Sequence, residues 1–76
     1  MTQTRNYTIH LIPEPEGGYT VRVPALPEVV TYGADRAEAL ANAAEAIELV
    51  LEVRIADGDP IPDDVVPITE TLTIAA

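Results

Sequence analysis

One long helical segment constrains the fold of this chain more than any other feature. It runs from Asp35 to Ile55, and no other stretch of the sequence has a comparable helical period. Asp35 is the predicted N-cap, and Glu38, three residues later, completes a capping box. Gly58 and Pro60 mark its predicted end. A 76-residue chain with one such helix must build the rest of its core from strands.

The predicted helix carries two apolar stripes. Spacing of three and four residues predicts that Leu40, Ala44, Ile47 and Leu51 face the core, beside a second stripe of Ala39, Ala43, Ala46, Val50 and Val53. Leu49 falls among the polar residues. An apolar arc this wide is typical of a helix packed centrally on a small sheet. The alternative is a helix that also contacts a second subunit.

Four segments alternate apolar and polar residues as strands do. They are residues 5–13, 19–23, 29–32 and 68–74. The sequence EPEGG, from Glu14 to Gly18, predicts a turn because its paired glycines can adopt positive φ, so the first two strands form a hairpin. The prediction is one α+β domain over residues 1–76, in the order β-β-β-α-β, with no separate DNA-binding domain visible.

Connection rules arrange these strands in one sheet. The first three form an antiparallel meander, and the helix returns the chain across one face so that the fourth strand lies beside the first, giving the order 3-2-1-4. The fourth strand presents Ile68, Glu70, Leu72 and Ile74 between threonines, and it has no Lys to protect an edge. We predict that this edge strand pairs with another subunit or a partner, which gives a homodimer or homotetramer.

The composition leaves little room for catalysis. The chain has no Cys, Ser or Lys, so the usual covalent nucleophiles are absent. His10 is the single histidine, which is too few for a typical zinc site. The acids after the helix do not have the spacing of a calcium loop. We therefore predict no catalytic residue, no metal, no cofactor and no small-molecule substrate.

The net charge of −9 restricts the partners. An acidic surface repels a phosphate backbone, so we expect no direct nucleic-acid binding by this chain. A basic protein partner suits this charge, although solubility alone also explains it. The sequence has no apolar stretch of about 20 residues and no signal-peptide pattern, so we predict no membrane association and a cytoplasmic location.

An ordered set of short motifs runs through most of the chain. It comprises Glu16-Gly17-Gly18-Tyr19, Val21 and Val23, Pro24-x-Leu26-Pro27, Val30-Thr31-x-Gly33, Glu38-Ala39-Leu40-x-Asn42-Ala43-x-Glu45-Ala46, and Gly58-x-Pro60-Ile61-Pro62. Together these motifs resemble the HicB family of bacterial antitoxins. The chain departs from the family pattern at Ala25 and Glu28, where the family has Asp and Gly.

The resemblance implies a partial ribonuclease H fold without nuclease activity. It also implies a partner, the HicA toxin, a small basic mRNA interferase that the antitoxin binds and masks. Candidate toxin contacts are the acids Glu14, Glu16, Glu28 and Asp35, whose carboxylates also serve turn and cap chemistry. The alternative function is a solitary HicB-like oligomeric domain with no toxin partner.

Overall fold

The computed structural model describes residues 4–76 and confirms an α+β architecture with three antiparallel strands and one helix. The elements in chain order are β1 (His10–Pro13), β2 (Tyr19–Arg22), β3 (Val30–Gly33) and α1 (Arg36–Ala56). Both strand pairs are antiparallel, in the order β1-β2-β3, as the predicted meander requires. The first strand is shorter than predicted, because residues 5–9 precede the paired region.

The β1–β2 turn has the predicted glycine geometry. Gly17 and Gly18 have φ values of 104° and 76°. The turn is closed by the Glu14 amide, which donates to the Gly18 carbonyl at 3.0 Å. A Cβ atom at Gly18 would overlap the Tyr32 side chain, so this position needs glycine for space as well as for φ.

The helix packs against β3 and β2 at very close range. A Cβ atom at Gly33 would overlap the backbone of Ala39, so the close approach depends on the missing side chain. Ala39 and Ala43 are buried there with Val21. The prediction that Leu40 and Ala44 face the core is therefore wrong: both are exposed in the single chain, and the small-residue stripe takes the buried position because only alanine fits this gap.

A second core cluster lies under the C-terminal half of α1. The corner after β2 turns through Val23 and Leu26, since the Leu26 amide donates to the Val23 carbonyl at 3.0 Å. Leu26 is fully buried with Val23 and Val29. Ile47 and Leu51 of the helix are partly buried against this cluster. The motif Pro24-Ala25-Leu26-Pro27 thus forms a stiff corner that places an anchor residue in the core.

The segment after the helix is extended and outside the sheet. Within the described residues 57–76, no strand is assigned. The apolar residues of the predicted edge strand are 86% (Ile68), 80% (Leu72) and 74% (Ile74) exposed, and Glu70 lies exposed among them. In the single chain the sheet has three strands, so the order 3-2-1-4 stays a prediction.

Candidate interaction surface

One face of the sheet has no helix over it. Val21, Leu11 and Ile9 point toward α1, so the alternate residues lie on the opposite face. In register across the sheet, these are the rows His10, Arg22, Val30 and Ile12, Thr20, Tyr32. We call these six residues the open sheet face. It exposes sizeable apolar area, since Ile12 is 41% exposed, Val30 53% and Tyr32 48%.

Three of the four predicted contact acids lie at one end of this sheet. The register places Pro13, Tyr19 and Gly33 in one row. Glu14 and Glu16 follow this row in the hairpin turn, and Asp35 follows Gly33 by two residues. We call the three carboxylates the acidic end. Glu28 lies at the other end of the sheet, two residues before Val30, which pairs with Arg22.

Glu14 and Glu16 differ in their surroundings. Glu14 is half-buried, and its Oε1 accepts a 2.6 Å hydrogen bond from the Thr20 hydroxyl. That bond orients the carboxylate over the open sheet face. Glu16 is exposed at the tip of the turn. Of the two side chains, Glu16 is therefore the more accessible to a partner.

Asp35 has a structural role in the helix. Its Oδ1 accepts a 2.8 Å hydrogen bond from the Glu38 amide, and the Glu38 carboxylate accepts a 3.3 Å bond from the Ala34 amide. These reciprocal bonds confirm the predicted capping box, although its return bond goes to the residue before the cap. The Asp35 carboxylate also remains exposed, so capping leaves it open to a partner on its outer side.

Glu28 is held by an arginine of the helix. Arg54 Nη2 lies 2.7 Å from Glu28 Oε2, and Arg54 Nε donates to the same oxygen at 2.9 Å. The backbone amide of Glu28 itself, and then Arg54, lower the pKa of this carboxyl. Arg54 also donates to the Pro60 carbonyl at 3.3 Å, so the ion pair joins the corner after β2 to the segment after α1.

Tyr32 is a surface residue that the sequence reasoning missed. Its hydroxyl donates to the Gly17 carbonyl at 3.1 Å, and its own carbonyl accepts a 2.7 Å bond from Asn42 Nδ2. The ring thereby lies across the open sheet face toward the acidic end. The alternation of Val30 and Tyr32 about Thr31 was the available signal, because alternate residues of a strand share a face.

The residues of the family motif mainly shape the scaffold. The hairpin turn contains Gly17 and Gly18, and the close contact between β3 and the helix involves Gly33 and Asn42. The corner after β2 contains Pro24, Leu26 and Pro27. The first core cluster includes Tyr19, Ala39 and Ala43, whereas Leu40 is exposed. Among residues 4–76, no three His, Asp or Glu side chains come together as metal ligands. In the same part of the chain, no helix combines the length and apolar character of a membrane span.

Comparison with known proteins identifies relatives of this chain by sequence similarity. The chain is 40% identical to the UPF0150 protein ssr1765 of Synechocystis over 62 residues, which cover 82% of this chain and 78% of the relative. It is 41% identical to Antitoxin HicB 1 of Photorhabdus laumondii and 38% identical to Antitoxin HicB of Escherichia coli K12, each over 56 residues. Those matches cover 74% of this chain but 36% and 41% of the two antitoxins.

The family profile described as "HicB_like antitoxin of bacterial toxin-antitoxin system" matches residues 7–74. This match includes all three strands, the helix and most of the segment after it. The chain therefore belongs to the HicB-like antitoxin family of bacterial toxin-antitoxin systems.

Proposed function

We propose that this chain binds a small basic toxin of the HicA type and masks the surface with which that mRNA interferase acts on RNA. Membership of the HicB-like antitoxin family supports a toxin partner. The net charge of −9 supports a basic one, because opposite surface charges speed association and fix orientation. In this role the chain is an inhibitor by occlusion and carries out no catalysis itself.

The observation that carries the proposal is the open sheet face beside the acidic end. Exposed apolar and aromatic side chains such as Ile12 and Tyr32 are typical of the centre of a protein interface, whereas charged groups are typical of its rim. Here Glu14 and Glu16 lie in the hairpin turn at the end of that face, and Glu14 is bound to Thr20 of the face. A basic toxin would bury its apolar contacts on the open sheet face and place its cations against the acidic end.

The surroundings of the four candidate acids rank them for this role. Glu28 has Arg54 as a partner within the chain, so a toxin cation would have to compete for it. Asp35 and Glu14 each accept one bond within the chain and offer their remaining lone pairs. Glu16 is exposed at the turn. We therefore place Glu16 first among the toxin contacts and Glu28 last.

Co-expression with the product of a neighbouring gene tests the proposal. The neighbour to choose encodes a small basic protein with a catalytic histidine. We expect growth arrest by the neighbour alone, relief by this chain, and a complex that survives size-exclusion chromatography. A neighbour that stays toxic in the presence of this chain, with no complex, would contradict the antitoxin role and favour a solitary oligomeric domain.

Two matched charge reversals then locate the surface. Glu16→Arg changes the acidic end, while Glu52→Arg makes the same charge change on an exposed position of α1. We expect Glu16→Arg to raise the Kd for the toxin at least about tenfold, as loss of a well-placed ionic contact does. Glu52→Arg should change it by less than about threefold, through long-range steering alone. Equal effects of the two variants would show that only net charge matters.

A further inference from the structure

Residues 65–76, which we call the C-terminal segment, have the sequence of a strand but lie outside the sheet. Val66 is 73% exposed and Ile68 86% exposed, and the exposure continues through Ile74. Isolated apolar residues on a surface are normal, but a run of alternating ones in a single extended segment is not. The molecule measures 52 × 25 × 19 Å, an elongated shape for a chain this short. The segment therefore lacks the sheet that its pattern requires.

The rest of the chain lacks one strand, in a defined place. In the order β1-β2-β3, the outer edge of β1 has no neighbour within the described residues. The helix lies mainly over β3 and β2. Helical spacing places Leu40 and Ala44 on the side of α1 opposite Asn42, and hence toward β1, and in a single copy Leu40 is 36% exposed and Ala44 is exposed. On the other side, Asn42 already binds the Tyr32 carbonyl of β3. The β1 edge together with the Leu40–Ala44 flank thus forms an unfilled apolar slot.

The residues just before the C-terminal segment are bound to the residues just before β1. Tyr7 donates its hydroxyl to the Pro62 carbonyl at 2.6 Å. Thr8 donates its amide and its hydroxyl to the Asp64 carboxylate at 2.8 and 2.7 Å. Pro67 favours an extended backbone at the residue before it. Beyond this point the residues are exposed and do not pair with the sheet. The start of the segment is thus close to β1 in space, yet the segment does not pair with β1 in a single copy.

We propose that two copies of this chain exchange their C-terminal segments. The segment of each copy lies along the outer edge of β1 of the other, with Leu72 and Ile74 against the Leu40–Ala44 flank. Each copy supplies one slot and one segment, so a single twofold axis satisfies both and closes the assembly as a dimer. The added strand takes the position of the fourth strand in the order 3-2-1-4, contributed in trans.

A second copy suits the slot better than a partner of another kind. The chain carries a net charge of −9, but Glu70 is the single charged side chain between Val65 and Ala76. Two copies can therefore meet through this segment with little repulsion between like charges. A basic toxin would gain little from so uncharged a segment, and its contacts are better served by the acidic end. The exchange stands independently of the proposed toxin.

Mixed isotope labelling tests the exchange directly. An equimolar mixture of ¹³C-labelled and unlabelled chain, denatured and refolded together, is studied by isotope-filtered NOE spectroscopy. We expect intermolecular NOEs from the Leu72 and Ile74 methyl groups to the Leu40 methyl groups, and light scattering should give twice the chain mass of 8.1 kDa. The proposal is overturned by NOEs that are only intramolecular, by NOEs to β3 instead, or by a monomeric mass.

A pair of neighbouring substitutions provides a second readout. Leu72→Asp places a carboxylate on the face that enters the slot, while Thr71→Asp adds the same charge on the opposite face. Both residues are exposed in the single chain, so neither change disturbs its core. We expect Leu72→Asp to weaken dimerisation at least about tenfold, because a charge would be buried, and Thr71→Asp to weaken it less than about threefold. Equal dissociation constants for the two variants would overturn the proposed orientation.

Discussion

At the scale of single residues, one missing side chain sets the distance between helix and sheet. The position is Gly33, where a Cβ atom would overlap backbone and side-chain atoms of Ala39. The need is for space alone, since Gly33 is not among the residues with positive φ. The closeness of this contact explains why Ala39 and Ala43, rather than larger residues, occupy the buried face of α1.

We predict that Gly33→Ala destabilises the fold by about 3 kcal/mol, at the upper end of the cost of overpacking, because the backbone of α1 must move. Urea denaturation followed by circular dichroism measures the change. Gly58→Ala is the control, since Gly58 has φ 73° and no atom within 4 Å of an added Cβ. That change should cost only about 1 kcal/mol of backbone strain. A Gly33→Ala loss no larger than the control would contradict the close contact.

Asp64 gives a prediction about pH. Hydrogen bonds from the Thr8 amide and hydroxyl lower the pKa of this carboxyl below its ordinary value of 3.8. Because the folded pKa is below the unfolded one, the contribution of these bonds is complete above pH 3.8 and is lost as the pH falls through the folded pKa. An NMR titration followed at the Thr8 amide should have its midpoint below pH 3.8. Thr8→Ala removes the hydroxyl donor and keeps the amide, so it should raise the Asp64 pKa part of the way to its ordinary value, and an unchanged pKa would refute the hydroxyl contact.

At the scale of elements, the helix begins where a capping box predicts. The Asp35 carboxylate satisfies the Glu38 amide, which has no partner within the helix. We predict that Asp35→Ala lowers the free energy of unfolding by about 1 kcal/mol, and that Asp35→Asn lowers it much less, since asparagine caps almost as well. Thermal unfolding of both variants measures the difference. Equal losses would mean that the charge, rather than the cap, stabilises this helix.

Local chemistry explains which elements were predictable from the sequence. The hairpin turn and the ends of the helix depend on residues close in the chain, such as Gly17 and Gly18, and these predictions are confirmed. Within a single copy the buried face of the helix was predicted wrongly at Leu40, because periodicity does not reveal how near Gly33 lets the sheet approach. Alternation at residues 68–74 predicts an extended segment. The alternation does not show whether that segment pairs with the sheet of its own chain or with the sheet of another copy.

The candidate interaction surface was predictable only in part, for a similar reason. Charge singled out Glu14, Glu16 and Asp35, which the register then places at one end of the sheet. It also singled out Glu28, which the fold places at the other end and pairs with Arg54. The apolar part of the surface, centred on Tyr32, emerges only when it is known which face the helix covers. Side-chain type was readable from the sequence, and relative position was not.

At the scale of the whole molecule, the small core and the exposed apolar segment have the same consequence: a single copy buries little apolar surface. The fully buried side chains larger than alanine are few, with Leu26, Val21 and Val23 the largest of them in the described residues. A domain of this size gains little stability from such a core alone, so association is an expected source of the remainder. Exchange of the C-terminal segment would bury exposed apolar residues of the segment in one copy and of the Leu40–Ala44 flank in the other.

This coupling predicts that thermal stability depends on protein concentration. If folding and dimerisation are linked, mass action raises Tm as the total concentration increases. Over about a hundredfold range, we expect Tm of the unsubstituted chain to rise by several degrees, given the small unfolding entropy of a domain this size. Differential scanning calorimetry along a dilution series measures this rise in Tm.

Two variants serve as controls. Thr71→Asp should keep the same dependence of Tm on concentration, whereas Leu72→Asp should have a lower Tm at high concentration and a Tm that does not change with concentration. A Tm independent of concentration in the unsubstituted chain would mean that its stability is complete within one copy, and that the extended segment contributes nothing to it.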